Sequence, residues 1–252
     1  MPINYSYKHL LPDEWKLSFN QELYHWWYVS RTNLLLSLIK LTKISSPRIL
    51  DVGFGTGGNL LALAKLGKAF GIDISDKAVE FSMKRGINHI CQSSAEKIPF
   101  KDKTFDIIAC FDVLEHISEP VEMLLELRRV LKDEGKLIIM VPAFKALWSQ
   151  HDEVLCHFRR YEKKSLFNDF SKARLMVDKA SYFFFASFFI VAPARILSKL
   201  LYTNYLHYDT TTLLLKPINE IAKILFRIEA RCSIRFGLPF GSSLYAIASK
   251  EK

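Results

Sequence analysis

The chain has 252 residues, 50% of them hydrophobic and 24% charged, a balance that excludes a disordered tail protein and fits one large domain or two small ones. Its net charge of +9 is gathered late: residues 1–150 carry 19 Lys and Arg against 17 Asp and Glu, and residues 151–252 carry 16 against 9. An anionic partner is therefore to be sought in the second part. The cysteines Cys91, Cys110, Cys156 and Cys232 form no CxxC pair and no zinc-like spacing, so buried thiols in a reducing cytoplasm are expected, with neither staple nor metal. No basic-then-apolar leader is read in Met1–Lys16. The uncharged run Tyr182–Ala194 has 13 residues and contains Pro193, well short of the ~20 that a spanning helix requires.

The first 45 residues read as a helical, aromatic cap (Trp15, Phe19, Leu23, Trp26, Trp27) laid on the core or over a cleft. From residue 46 onward short apolar runs alternate with helical stripes. Arg48–Val52 reads as a buried strand, Gly53–Gly58 as a glycine loop, and Leu60–Ala64 as a helix ended by Gly67. Ala69–Asp73 is a second strand, followed by a helix capped by Ser75 or Asp76 and running to Arg85. Further strands are expected at Ile87–Cys91, Phe105–Phe111 and Lys136–Val141, with a helix from Ser118-Glu-Pro to Leu131 that Gly135 stops. After Pro142 come a polar stretch, a helix near Lys163–Phe170 and the aromatic run. A helical stripe follows (Ile218, Ile221, Leu225, Ile228) beside Lys223, Arg227 and Arg231, and then a last strand, Ser243–Ala248. Continuous apolar strands alternating with helices predict a doubly wound α/β domain.

The run Ile49-Leu-Asp-Val-Gly-Phe-Gly-Thr-Gly-Gly58 holds most of the functional information. Glycines at 53, 55 and 57 let the backbone approach a ligand where a Cβ would intrude, and the loop leaves the first strand where open α/β sheets bind ligands. Gly53-x-Gly55-x-x-Gly58 satisfies the dinucleotide pattern, a weak signal alone. Asp51, however, would set a carboxylate against a pyrophosphate; it suits a ligand carrying an ammonium group instead. A turn that binds nothing is the bland alternative.

Over residues 20–180 the chain resembles the class I S-adenosylmethionine-dependent methyltransferases, type 11 group. The resemblance rests on Ile49–Gly57, Gly71-Ile-Asp-Ile-Ser75, Ala95-Glu-Lys-Ile-Pro-Phe100 with Thr104-Phe-Asp106, Phe111-Asp-Val-Leu-Glu-His-Ile117 and Arg129–Leu137, in the proper order. It implies a Rossmann-like seven-stranded sheet, mostly parallel with one antiparallel C-terminal strand. It also implies S-adenosyl-L-methionine as cofactor. By position, Asp51, Gly53, Gly55, Thr56 and Gly57 would face the methionine end, Asp73 the ribose and Ile74 the adenine face. Ala95 would meet the adenine edge, and Phe111 would lie beside the methionine moiety. Where the family often has an acid, this chain has Ser94, whose hydroxyl accepts a hydrogen bond more weakly. Asp73 as a plain helix cap is the alternative reading.

After the fifth strand, Trp148–Tyr161 packs His151, Asp152, His157, Arg159, Arg160 and Tyr161 into 14 residues, where the fold places acceptor-binding elements. His151 or His157, held by Asp152, is a candidate general base, and Arg159 and Arg160 would grip an anionic acceptor. A hydrogen-bonded loop buttressing the sheet is the competing reading. His116 is a weaker catalytic candidate, since a strand-end Glu–His pair more often bonds to backbone. A metal held by His151, Asp152 and His157 has a spacing that matches no ligand motif, so no metal is expected. The same run, with His25-Trp-Trp-Tyr28, Arg31 and Pro239–Leu244, resembles a bacterial and archaeal subgroup. That implies a small-molecule, lipid-linked or glycoconjugate acceptor methylated at oxygen or carbon, with Trp27, Arg31, Arg159, Arg160 and Tyr161 on the acceptor side.

The expected organisation is a cap over 1–45 and a cofactor-binding domain over 46–252. That domain includes an acceptor-side segment, 142–172, and a helical insertion, 183–236. A cationic stripe beside a Phe-rich helix could rest on an anionic membrane at the inner face, although such helices are most often packed. Nucleic acid is the rival acceptor for a chain of pI near 9.3. Phe111–Leu114 stands where nucleobase amino-methylating enzymes usually carry an Asp/Asn-Pro-Pro-aromatic motif, so that branch is disfavoured, while ribose or carbon methylation of RNA stays open as the alternative. An NAD-dependent oxidoreductase and a non-catalytic cofactor-binding protein are the remaining alternatives.

Overall fold

The computed structural model describes residues 12–200 and 215–251; the expectations for residues 1–11 and 201–214 lie outside the described residues. Seven strands form one sheet: β1 (Arg48–Val52), β2 (Lys68–Asp73), β3 (Ile90–Gln92), β4 (Phe105–Phe111), β5 (Leu131–Pro142), β6 (Leu175–Phe183) and β7 (Ser243–Lys250). Their order is β3-β2-β1-β4-β5-β7-β6. β1 to β5 pair in parallel, and β7 runs antiparallel to both β5 and β6. The chain therefore reverses its direction of sheet building between β1 and β4, the place where such sheets open a crevice.

Alternation along β1 sends Leu50 and Val52 to one face and Ile49 and Asp51 to the other. The first face is covered by α5 (Pro120–Val130) and α7 (Lys163–Lys172). The second lies under α2 (Trp26–Leu41) and α9 (Lys216–Phe236), whose Leu34, Leu38, Phe226 and Ala230 pack with Ile49, Met140 and Tyr245. A third, smaller cluster joins α1 (Pro12–Gln21) to α4 (Asp76–Lys84), with the ring of Trp15 stacked on Phe81 at 6.3 Å. The short α3 (Gly58–Leu63) follows the glycine loop.

Four local expectations are corrected. The helix α5 ends at Val130 rather than at Gly135, because Leu131 already pairs with Phe105; a register shift before the Ile107–Lys136 pair absorbs the extra residues. The third strand begins at Ile90. The aromatic run is not one helix: Tyr182 and Phe183 finish β6, Phe184 turns with φ +62°, and α8 (Phe185–Leu200) begins after it. Finally, the apolar stripe of α9 faces outward. Ile221 and Ile224 are 65% and 57% exposed, while the helix packs through Asn219, Phe226, Glu229, Ala230 and Ser233. Polar anchors hold it there: Asn219 accepts from the backbone N–H of Trp26 at 2.8 Å, and Glu229 accepts from the N–H groups of Phe185 and Ala186, at 2.9 and 3.0 Å, at the start of α8. Among the described residues, no helix is long and apolar enough to cross a membrane.

Candidate active site

The glycine loop turns through three left-handed glycines, Gly53, Gly55 and Gly57, with φ of +73°, +57° and +89°. A Cβ at Gly53 would collide with Val113, whereas one at Gly55 would meet open space. Asp73 ends β2 and spans the loop: one carboxylate oxygen accepts from the N–H of Gly55 and the other from that of Ser75, both at 2.9 Å. Those two bonds engage only part of the carboxylate's lone-pair capacity, so Asp73 retains acceptors for hydroxyls. Ile74 beside it is 41% exposed, available to an apolar face. Asp51, 1% exposed, has a buried Oδ2 with no hydrogen-bond partner. Burial, reinforced by the charges of Glu22 and Asp73, pushes the Asp51 carboxyl well above the ordinary range.

Glu22 is the functional residue that sequence reasoning missed. It lies between α1 and α2, and its Oε2 accepts from the Thr56 hydroxyl, from the N–H of Gly58 at 2.9 Å and from Arg85 at 3.3 Å. Arg85 in turn donates to the carbonyls of Thr56 at 2.7 Å and Phe19 at 2.8 Å. The cap is thus pinned to the loop, and a carboxylate already occupies the first N–H of α3, where a bound diphosphate would have to sit. This arrangement argues against the dinucleotide reading. Arg31, also from the cap, pairs with Asp112 and lies over the Trp27 ring at 4.1 Å. Burial lowers its guanidinium to about 10, against the opposing pull of Tyr28, Glu115, Glu22 and Asp51. Trp27 stacks on Phe184, with centroids 6.5 Å apart. Of the two residues expected on the acceptor side, Arg31 feels the charges of Glu22 and Asp51 as well as that of Glu115, and so lies between the glycine loop and the turn after β4.

Phe111 is a core side chain, 5% exposed, packed among the residues under α2 and α9. It follows the Val52–Cys110 pair at the carboxyl end of β4, on the face to which β1 turns Asp51. Ala95 is 9% exposed, and the Ser94 hydroxyl accepts from the N–H of Glu96 at 3.2 Å.

The acceptor-side segment folds around Asp152, which is fully buried. Its Oδ1 lies 2.8 Å from His157 Nδ1 and 2.7 Å from Arg160 Nε. Its Oδ2 accepts from the N–H of Ser149 at 2.9 Å, capping the short helix α6 (Gln150–Val154), and lies 3.6 Å from Arg195. The bonds and charges of His157, Arg160 and Arg195 hold the Asp152 carboxyl below the usual range despite its burial. Asp152 therefore holds His157; His151 sits in the first turn of α6. The expectation of two anion-gripping arginines is corrected. Arg160 is 4% exposed and committed to Asp152 and to the Ala143 carbonyl at 3.1 Å. Tyr161 is a core residue, 1% exposed. Arg159 donates to the Ser118 carbonyl at 2.7 Å, and all three of the expected residues, Arg159, Arg160 and Tyr161, line a cavity of about 500 Å³ together with Lys145, Trp148, Phe158, Ser165 and Asp169.

Between the two ends stands the 3-10 turn Leu114–His116. Glu115 is fully buried, and neither carboxylate oxygen meets a donor from another residue. Burial raises its carboxyl to about 8, against the pull of Arg31 and Arg160. The His116 ring stands edge-on to His157, centroids 4.6 Å apart, and burial lowers it to about 4. Cys110 feels the charges of both Glu115 and Asp51, so the turn adjoins the cofactor end as well as Asp152.

A family model described as a methyltransferase domain matches residues 50–139. An uncharacterized protein of Methanocaldococcus jannaschii is 35% identical over 158 residues, covering 61% of this chain and 66% of that protein. The ubiquinone/menaquinone biosynthesis C-methyltransferase UbiE of Blochmanniella pennsylvanica is 31% identical over 144 residues, covering 52% of this chain and 57% of its own. The chain thus spans about half to two thirds of these relatives. In fold it is similar to an S-adenosylmethionine-dependent methyltransferase of Thermotoga maritima, with 18% identity, 94% and 99% of the two chains covered and a TM-score of 0.58. The matched segment runs from β1 and the glycine loop through the turn that bears Glu115 and into β5. Residues 50–139 accordingly match the methyltransferase domain of the type 11 group, and the sheet around them has the fold of S-adenosylmethionine-dependent methyltransferases.

Proposed function

We propose that this protein transfers the methyl group of S-adenosylmethionine to a small-molecule or lipid-linked acceptor. The observation that carries the reading is the unpartnered, buried Oδ2 of Asp51 in a pocket where Glu22 and Asp73 add two further carboxylates. A buried carboxylate oxygen without a partner, beside two further acids of which Arg85 pairs only Glu22, favours a cationic ligand, and the cofactor brings both an ammonium and a sulfonium. In this reading Asp51 takes the ammonium, Arg31 the methionine carboxylate and Asp73 the ribose hydroxyls. The donor methyl is activated by its own positive sulfur, so the chain has mainly to align an acceptor and manage its proton. The groups positioned for that are Glu115, His116 and His157; Asp152 acts as a positioning residue that fixes the His157 ring. Calorimetry with S-adenosylmethionine and its demethylated product tests the reading. Binding that Asp73→Ala weakens is expected, and absence of heat with both ligands overturns it. Incubating labelled cofactor with lipid, RNA, protein and small-molecule fractions then identifies the acceptor class.

A lipid-linked acceptor at an anionic membrane is favoured by α9. Its outward Ile218, Ile221, Ile224 and Ile228 run beside Lys223, Arg227 and Arg231, the pattern of a helix lying in an interface. The quinone-biosynthesis name of the Blochmanniella relative supports an apolar acceptor.

A further inference from the structure

We infer that Glu115, His116 and His157 form a binding site for a divalent first-row transition-metal ion. One ligand atom from each residue lies within 4.8 Å of the other two. Bonds of about 2.0–2.2 Å set neighbouring donors roughly 3–3.5 Å apart, so binding requires side-chain rotations that close the widest of these separations by about an ångström or more. Three independent features point to a cation here. Glu115 is fully buried with both oxygens unpaired by any other residue, a costly state for a carboxyl that a bound ion relieves. His157 presents Nδ1 to Asp152 at 2.8 Å, which aims Nε2 away from the carboxylate; a carboxylate behind a histidine is the usual outer support of a metal ligand. His116 is hydrogen-bonded to the Leu155 backbone, which fixes one ring nitrogen and leaves the other for coordination.

The cluster is also braced as a unit. The Glu115 carbonyl accepts from the N–H of Phe158 at 2.8 Å, tying the turn after β4 to the segment that carries His157. A lone general base would require none of this convergence. Two imidazoles and one carboxylate suit zinc, iron, cobalt or manganese rather than magnesium or calcium, which prefer oxygen. Three protein ligands also leave coordination positions open for an exogenous oxygen. The inference deepens the methyl-transfer reading, and rests on it in one respect: the open positions select acceptors that present a hydroxyl oxygen to the cofactor.

The test uses the full chain, stripped with a chelator and titrated with Co2+ and, separately, Zn2+. One equivalent of Co2+ should bind and develop d–d absorption bands, and the same equivalent of Zn2+ should displace it and raise Tm. In Glu115→Gln, which preserves volume, and in His157→Asn, the Co2+ bands and the Tm rise should be lost. His89→Gln, beside Phe70 just before β3 and outside the cluster, should retain them. Absence of Co2+ bands in the parent chain overturns the site, as does their persistence in both cluster variants, which would mean adventitious binding. Calorimetry with the demethylated cofactor in chelator is the separate control: a chain that binds it but no Co2+ keeps the methyl-transfer reading and loses the metal.

Discussion

At the cofactor end three carboxylates, Glu22, Asp51 and Asp73, crowd a glycine loop; Arg85 pairs with Glu22 and Arg31 with Asp112, which leaves Asp51 with no ion pair of its own. At the acceptor end one carboxylate, Asp152, is surrounded by His157, Arg160 and Arg195. Both ends are buried, yet the first carries an unsatisfied negative excess and the second is internally neutralised with positive charge to spare. The contrast separates a carboxylate left for a ligand, Asp51, from one whose charge is already paired inside the chain, Asp152. A buried ion pair resolved inside the chain serves rigidity, whereas a buried charge left over is resolved only by something that binds.

The largest expected effect belongs to the scaffold. Asp152→Ala would strand Arg160 in the core and remove the cap of α6, costing about 3–5 kcal/mol; urea unfolding measures it, and a loss below about 1 kcal/mol would mean that the network is not holding the segment.

At the ligand end the same kind of change should leave stability intact. Asp51→Asn removes a charge the free protein has no partner for, so Tm should hold or rise, while affinity for S-adenosylmethionine falls about 10–100-fold. Calorimetry and thermal melts on one sample sharpen the contrast, and a drop in Tm with unchanged affinity would reverse it. The pH dependence follows. Because Asp51, Glu22 and Asp73 all have raised carboxyls in the folded state, their contribution to stability is full below the ordinary carboxylate range. It is lost as pH climbs through their raised values. A cationic ligand favours the ionised forms, so cofactor binding should release protons and strengthen across that same window, which calorimetry in buffers of different ionisation heat reads directly.

The smallest effect is expected at α9, where Lys223→Gln, Arg227→Gln and Arg231→Gln together should shift stability by no more than about 0.5 kcal/mol. Flotation with anionic liposomes should nevertheless be abolished; equal flotation of the triple variant and its parent would remove the membrane reading.

The cofactor end was legible because it is local. A strand, three glycines and an acid at the end of the next strand lie within 25 residues of one another, and each has a backbone reason for its identity. The acceptor end draws on three separate stretches, so the pattern could show His157 and Asp152 near each other in the chain but not that Glu115 and His116 face them. Glu22 escaped for a similar reason: an isolated Glu in an aromatic helical segment carries no signal until α1 and α2 are folded across the loop. β6 was not located because it is an edge strand carrying Asp178 and Lys179, with a register irregularity between Val177 and Lys179, and edge strands are kept polar and irregular against unwanted pairing. The outward stripe of α9 shows the converse. Periodicity identifies an apolar face, but the helix is anchored through Asn219 and Glu229, and those polar anchors decide which side turns inward.

The placement of β7 between β5 and β6 carries a consequence for synthesis. β6 has no direct pairing with β5 and finds its neighbour only in residues 243–250. On a ribosome the edge of the sheet that bears Tyr182 and Phe183 must therefore wait, unzipped, while α8 and α9 emerge. Until the final strand arrives, the nascent polypeptide holds a finished nucleotide-side half and an open seam, the state in which a chaperone would find it.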